Sequence, residues 1–304
     1  MNLAESLSPT PAGSNLRHLA LGFFDGLHLG HQRVILGGTT PHIPSATAVL
    51  TFREHPLSIL HPEKHPALIT GLTHKLRVLE RWNIGLTIAL PFNSTRSQQE
   101  PVAFLAELSF AFPSLQTLSV GPNWRFGKNR SGDVEMLAAW CSKSSITLDN
   151  PTPVLYEGER ISSSRIRTAI QSGKLSDASA MLGRPFTILG KVKTGEGRGH
   201  QIGFPTANLA TDDECLPPDG VYAGRAILPD GTPQLAAINL GTCPTFGGKT
   251  RNIEAHLPKF SGQLVGQEID LEFHRYLRPE KKFSDSQALS EQIQKDVQAV
   301  LTPS

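Results

Sequence analysis

The chain has 304 residues and a mass of 33.0 kDa, about twice the ~150-residue prior for one domain, so two domains are expected. It is 38% hydrophobic and 18% charged, as in soluble globular proteins that bury a core. Lys plus Arg number 29 against 27 for Asp plus Glu, a formal net charge of +2, which argues against a broad basic face for nucleic acid or anionic membranes.

Taken in chain order, short apolar runs at 17–22, 46–52, 84–90 and 115–120 predict strands. Amphipathic stretches at 73–82, 99–109 and 133–142 predict helices between or after them. Strands alternating with helices imply crossover connections, a parallel sheet and ligand binding at the carboxyl ends of its strands. Residues 162–182 predict a helix, with Ser162, Ser163 and Ser164 as N-cap candidates and Gly183 as its stop.

After Arg184-Pro185 the pattern changes. Segments near 186–193, 221–228, 234–240, 252–257 and 267–275 are strand-like and joined by Gly/Pro-rich connections, which predicts a small antiparallel barrel. Residues 286–301 place Leu289, Ile293 and Val297 on one face of a final helix packed on that barrel. The expected fold class is α/β plus all-β, with domains at 1–182 and 183–304.

Cys141, Cys215 and Cys243 form no CxxC pair, so buried thiols in a reducing compartment are expected. The first residues, MNLAESLSPTPAGS, lack the basic and apolar regions of a signal peptide, and no apolar run approaches ~18 residues. The expectation is a cytoplasmic protein.

The near-zero charge is an average. Residues 1–182 carry 16 Lys/Arg and 13 Asp/Glu, a net +3, while residues 183–304 carry 13 and 14, a net −1. Arg125, Lys128, Arg130, Arg160, Arg165 and Arg167 fall in two short segments, 121–130 and 160–167. Local cationic clusters in a balanced chain suit a compact anion such as a nucleotide.

Residues 22–31 read GFFDGLHLGH directly after the first predicted strand. His28 and His31 would stand at the start of a helix, where two imidazoles and the helix N–H groups can meet a phosphate. Gly22 and Gly26 permit close backbone approach. A metal pair or two surface histidines are the alternatives, although a metal needs at least a third ligand.

This segment resembles the HxGH signature of the nucleotidyltransferase superfamily in the form found in bacterial FAD synthetases. ISSSRIR at 161–167 resembles the second basic motif of that superfamily, and GPNWRFGKNRSGD at 121–133 resembles the flavin-site segment. LGRPFTILGKVKTGEGRGHQIGFPTANL at 182–209, PPDGVYAG, INLGTCPTFGG and EAHL at 254–257 resemble a bacterial riboflavin kinase module. The similarity extends over roughly 15–302 and implies the bifunctional riboflavin kinase/FMN adenylyltransferase family. It implies a Rossmann-like nucleotidyltransferase domain followed by a small β-barrel kinase domain.

On that resemblance FMN attacks the α-phosphorus of ATP and expels pyrophosphate, with His28 and His31 on the α-phosphate. Ser163, Ser164 and Arg167, with Arg165 beside them, suit the β- and γ-phosphates, while helix capping is the plainer reading of the serines. Gly22, Phe24 and Asp25 belong to the nucleotide-binding turn, although a turn aspartate often only caps its neighbours. Asn123, Trp124, Arg125 and Phe126 would lie near the flavin, although aromatic residues at such a position are more often core. In the kinase half Glu254 resembles the catalytic base, and Thr206 and Asn208 offer oxygens for Mg²⁺ beside ATP. Gly195, Gly197, Gly199 and Gly203 would give a loop that approaches phosphate.

Some positions depart from the family pattern. Glu54 stands before His55-Pro56 where proline is common, His74 precedes Lys75 where an acidic residue is usual, His200 replaces a frequent arginine, and Pro258-Lys259-Phe260 replaces an acidic-aromatic pair. His55, His61 and His65 fit a solvated loop better than a metal cluster. The implied substrates and products are riboflavin, ATP, FMN and FAD, with no nucleic acid or membrane partner, in a monomer or weak homo-oligomer. The other readings are one active domain only, or a non-catalytic flavin-binding sensor.

Overall fold

In this computed structural model residues 2–11, 13–37, 42–195, 203–211, 214–245, 248–281 and 283–302 are described, without the side chains of 243–245 and 248–250. Gly197, Gly199 and His200 lie outside the described residues. The chain separates into two compact units, Met1–Ser163 and Ser164–Ser304.

The first unit holds strands β1 (Asn2–Ala4), β2 (His18–Leu21), β3 (Thr47–Phe52), β4 (Leu86–Leu90), β5 (Thr117–Val120) and β6 (Thr147–Asp149). They form one parallel sheet in the order β1-β4-β3-β2-β5-β6. Its helices are α1 (Leu29–Leu36), α2 (Pro56–Leu60), α3 (Leu72–Arg81), α4 (Ser94–Ser97), α5 (Pro101–Ala111) and α6 (Val134–Lys143). A small hairpin joins β7 (Leu155–Tyr156) to β8 (Glu159–Arg160).

Both faces of the sheet are covered, which explains why its strands read as continuous apolar runs. Leu19, Leu21, Leu50, Ile88, Leu90, Leu118 and Val120 pack with Phe104, Leu108, Leu137 and Cys141 of α5 and α6. Ala20 and Val49 pack with Val34 and Ile35 of α1 and with Val78 and Leu79 of α3. The order of winding reverses at β2, which has β3 on one side and β5 on the other. Leu21 pairs with Val120, so the chain leaves two neighbouring strands at Gly22 and at Gly121. The crevice between such diverging connections is where ligands bind in open α/β sheets.

From Ser163, the last residue of the first unit, the chain forms two helices where the sequence predicts one. Helices α7 (Ser163–Gln171) and α8 (Leu175–Leu182) are split at Gly173, whose φ of +76° ends the first. Gly183 stops α8 as expected, in a left-handed conformation with its N–H donating to Ser179 O. Strands β9 (Phe186–Lys193), β10 (Thr206–Ala210), β11 (Gly220–Ile227), β12 (Pro233–Thr245), β13 (Gly248–His256) and β14 (Glu268–Arg278) follow. They close a barrel in the order β10-β13-β12-β11-β14-β9, all neighbours antiparallel. Its core includes Ile188, Val192, Tyr222, Ile238, Ile253, Ala255, Ile269, Leu271 and Phe273.

Helix α9 (Ser286–Leu301) packs on β11 and β12. The predicted face is half-buried at Leu289, Ile293 and Val297, but Asp296 and Val300 are the buried residues between and beyond them. Asp296 is buried because Arg278 of β14 grips both its oxygens, at 2.7–3.2 Å.

Candidate functional site

In the first unit the site is built at the turn from β2 into α1. His28 caps α1, its Nδ1 accepting from His31 N at 3.3 Å. The two rings stack with centroids 3.6 Å apart and 18° between planes. Gly30 is what permits this: a Cβ there would meet the His28 ring at 3.0 Å. His28 is buried and His31 half-buried, so both imidazoles stand at the N-terminal end of α1 with little freedom to move.

The turn itself is strained. Phe24 and Leu27 have φ of +54° and +45°, a left-handed region that non-glycine residues enter at a cost of about 1–3 kcal/mol each. Gly26, at +85°, sits between them. The Phe24 ring meets His31 edge-on at 5.3 Å, and a Cβ at Gly22 would press into that same ring.

Asp25 is 3% exposed, and its Oδ1 accepts from Ile69 N at 2.9 Å and Thr70 N at 3.1 Å. The capping role expected of a turn aspartate is therefore present, with the loop before α3 as what it caps. Thr70 Oγ1 accepts from Gly26 N at 3.0 Å. Ser163, first residue of α7, donates its hydroxyl to Asp25 O at 2.9 Å, which brings the start of the second basic motif against the first. Of the rest of that motif, Arg167 is half-buried and Ser164 exposed, both on α7.

The loop after β5 folds as a tight bridge between Phe126 and Gly132. Phe126 is buried in the sheet core, as aromatic residues at such a position usually are, and stacks on half-buried Trp124 at 4.7 Å. Arg125 is exposed and pairs with Asp133 at 3.6 Å. Exposed Asn123, with its amide oriented to satisfy its neighbours, accepts from Arg160 Nη1 at 2.8 Å. The two cationic segments of the sequence thus meet in space through Asn123 and Arg160.

The departures here have local partners. Glu54 Oε2 accepts from Phe92 N at 2.9 Å. His55 caps α2 and lies edge-on to Phe23 and to His65. His61 lies 3.7 Å from Glu63, and among the described residues no three potential metal ligands cluster. Cys141 is buried, and burial pushes its thiol up to about 11. Cys215 is buried too.

In the barrel the candidate groups line up by strand register. Asn208 of β10 pairs with Glu254 of β13, and Glu254 pairs on its other side with Asn239 of β12. Thr206 pairs with His256 one repeat away. Directly paired residues share a sheet face, so Thr206, Asn208 and Glu254 stand on one face. It is the outer face, since the intervening Leu209, Ile253 and Ala255 are buried in the barrel.

Gly195 approaches so closely that a Cβ on it would collide with the Asn208 amide, whereas nothing lies within 4 Å of a Cβ on Gly203. Gly195 is needed for close approach and Gly203 for its φ of +85°. His256 Nδ1 lies 2.9 Å from Pro205 O, and its ring meets Phe204 edge-on.

Three polar residues of these surroundings were not singled out from the sequence. Asn239 and Lys193 flank the row, Lys193 opposite Asn208, and only register reveals them. Lys75 is legible in principle, since it shares the apolar spacing of Leu72, Val78 and Leu79 on α3.

A FAD synthetase family model matches residues 12–165 and a riboflavin kinase model matches residues 182–302. A bifunctional riboflavin kinase/FMN adenylyltransferase of Bacillus subtilis is 34% identical over 293 residues, 93% of this chain and 91% of that protein. One from Haemophilus influenzae is 33% identical over 282 residues, 92% of each. A crystal structure titled as a macrolide-efflux protein from Streptococcus pneumoniae superposes with a TM-score of 0.82 at 26% identity, covering 100% of both chains. Among the described residues no helix is long and apolar enough to cross a membrane. The chain belongs to the bifunctional riboflavin kinase/FMN adenylyltransferase family.

Proposed function

We propose that His28, His31, Ser163, Ser164 and Arg167 carry FMN adenylylation and that Thr206, Asn208 and Glu254 carry riboflavin phosphorylation. The chain is a riboflavin kinase and an FMN adenylyltransferase: it makes FMN from riboflavin and ATP, then FAD from FMN and ATP with release of pyrophosphate. The observation that carries the assignment is the stacked His28–His31 pair at the N-terminus of α1, at the point where the parallel sheet reverses its winding.

Both reactants of the second step are anions, so the protein's work is alignment and neutralisation of growing charge. The imidazoles and the first N–H groups of α1 meet the α-phosphate. Arg167 and the start of α7 take the β- and γ-phosphates that leave as pyrophosphate. Because the Ser163 hydroxyl donates to Asp25 O, its backbone N–H is the donor it offers, and Ser164 supplies the hydroxyl. Asn123 and Arg125, beside the crevice after β5, face the flavin, and Gly22, Phe24 and Asp25 shape the turn.

In the kinase step Glu254 takes the proton of the riboflavin 5′-hydroxyl as it attacks the γ-phosphorus, and the bond to the β–γ bridging oxygen breaks to release ADP. The Thr206 hydroxyl and Asn208 amide oxygen are hard donors on one face, next to the close-approaching Gly195, a set that fits Mg²⁺. Held by Thr206 and Asn208, such an ion would supply neutralisation of phosphate charge. Gly195, through its close approach to Asn208, and Gly203, through its left-handed φ, leave backbone room for phosphate beside these donors. The functional boundary lies at 182/183, the protein acts in the cytoplasm as a monomer or weak homo-oligomer, and its partners are small molecules, with no nucleic acid.

The full chain incubated with riboflavin, ATP and Mg²⁺, with products separated, is expected to yield FMN and then FAD. Absence of both products across metals and reductants would sink the reading. Flavin bound tightly without ATP-dependent turnover would replace it with a sensor.

A further inference from the structure

The turn that carries His28 and His31 rests on a cation shut off from solvent. Lys75 of α3 is 1% exposed and is the one Lys or Arg among the described residues that is buried. Burying an ammonium is costly unless strong acceptors surround it. Its Nζ donates to Phe23 O at 2.6 Å and to Thr51 Oγ1 at 3.3 Å, and lies 4.0 Å from the centre of the Phe23 ring. Thr51 Oγ1 in turn donates to the same Phe23 carbonyl at 2.9 Å. One carbonyl is therefore held by donors from two different elements, α3 and β3.

That carbonyl sits immediately before the left-handed Phe24, whose ring packs on His31. An unusual backbone conformation persists only where its surroundings over-determine it. The clamp is such a determinant, and it acts one residue from the strained one. Leu or Met would fill the site between Leu72 and Leu79 without a buried charge, so packing gives no reason for a lysine here.

We propose that Lys75 is a positioning residue for adenylyl transfer: with the Thr51 hydroxyl it clamps the Phe23 carbonyl and so holds the Phe24 turn that sets the His31 ring. The proposal rests on the assignment of His28 and His31 to that reaction. Burial lowers the Lys75 pKa to about 8 against the opposing effect of Asp25, so the charge is maintained at the expense of stability. A positioning role and a stabilising role therefore predict opposite changes on removing the ammonium.

The test uses the full chain, assayed separately for FAD from FMN and for FMN from riboflavin, with thermal unfolding alongside. Lys75→Met is expected to lower kcat for FAD formation at least about tenfold, with KM for FMN and ATP within about threefold. FMN formation and the unfolding midpoint should hold or, for the midpoint, rise. Thr51→Val should produce a smaller fall of the same kind, and Thr51→Ser, which keeps the hydroxyl, should restore the wild-type rate.

A folded Lys75→Met variant with wild-type FAD kcat overturns the proposal, and so does a loss of both activities with a lowered midpoint. Should Lys75→Met not fold, the Thr51 pair decides in the same terms. If instead His28→Ala leaves FAD formation intact, the site assignment itself fails, which is a separate outcome from anything Lys75 does.

Discussion

In the α/β unit the two histidines assigned to adenylyl transfer directly follow a turn with three left-handed residues, Phe24, Gly26 and Leu27. In the barrel the groups assigned to phosphoryl transfer stand on adjacent strands whose pairing places Asn208 opposite Glu254. The first arrangement needs outside support: Ile69 and Thr70 hold Asp25, Ser163 holds its carbonyl, and Lys75 holds Phe23. The second is set by the ladder itself, because a register slip would turn every side chain of the row to the other face. Strain gives a turn a shape that no regular element offers, and it makes that shape depend on residues outside the turn.

The sharpest way to break the comparison is to silence one side at a time. His28→Ala with His31→Ala should lower FAD formation from FMN by at least about a thousandfold, since charge stabilisation at the transferred group is lost. FMN formation should continue, as product separation from riboflavin will show. Loss of both activities in a folded double variant would mean the two sites are not separate. Glu254→Gln should do the reverse, slowing riboflavin phosphorylation by roughly 10²–10⁴-fold. FMN supplied directly should still be adenylylated at the wild-type rate.

A smaller change sharpens the structural side. Asp296→Ala leaves Arg278 without its bidentate partner in a largely buried setting, with side-chain exposures of 15% and 8%. It should destabilise the barrel by about 3 kcal/mol, read as a lower urea midpoint. FAD formation from FMN should persist in urea that already abolishes FMN formation.

Most of the sheet and barrel could be read from the sequence because apolar runs such as 46–52 and 186–193 are covered on at least one face along their whole length. Strand β10 could not: TANLA is polar at alternate positions, and its partner β13 rather than its own composition makes it a strand. The single helix expected over 162–182 became two because a Gly that is merely tolerated within a helix can also end one, and Gly173 takes the left-handed conformation. At the site, the HxGH spacing placed His28 and His31 at a helix start, and the stacking geometry accounts for the glycine between them. Lys75 went unread because a lysine on an apolar helix face is ordinarily taken for one that reaches out to water. Only the carbonyl it meets shows otherwise.

Strand β1, three residues long, runs along the outer flank of β4, pairing Asn2, Leu3 and Ala4 with Leu86, Thr87 and Ile88. Beneath it lies a strand that is almost wholly buried. So short a strip is a cover for a row of backbone donors and acceptors that would otherwise be open to any passing extended chain. Trimming or rerouting these first residues converts a solvent-shielded flank into an adhesive one, and the cost would be paid in self-association rather than in catalysis. The barrel, closed through β9 and β10, has no equivalent flank to guard.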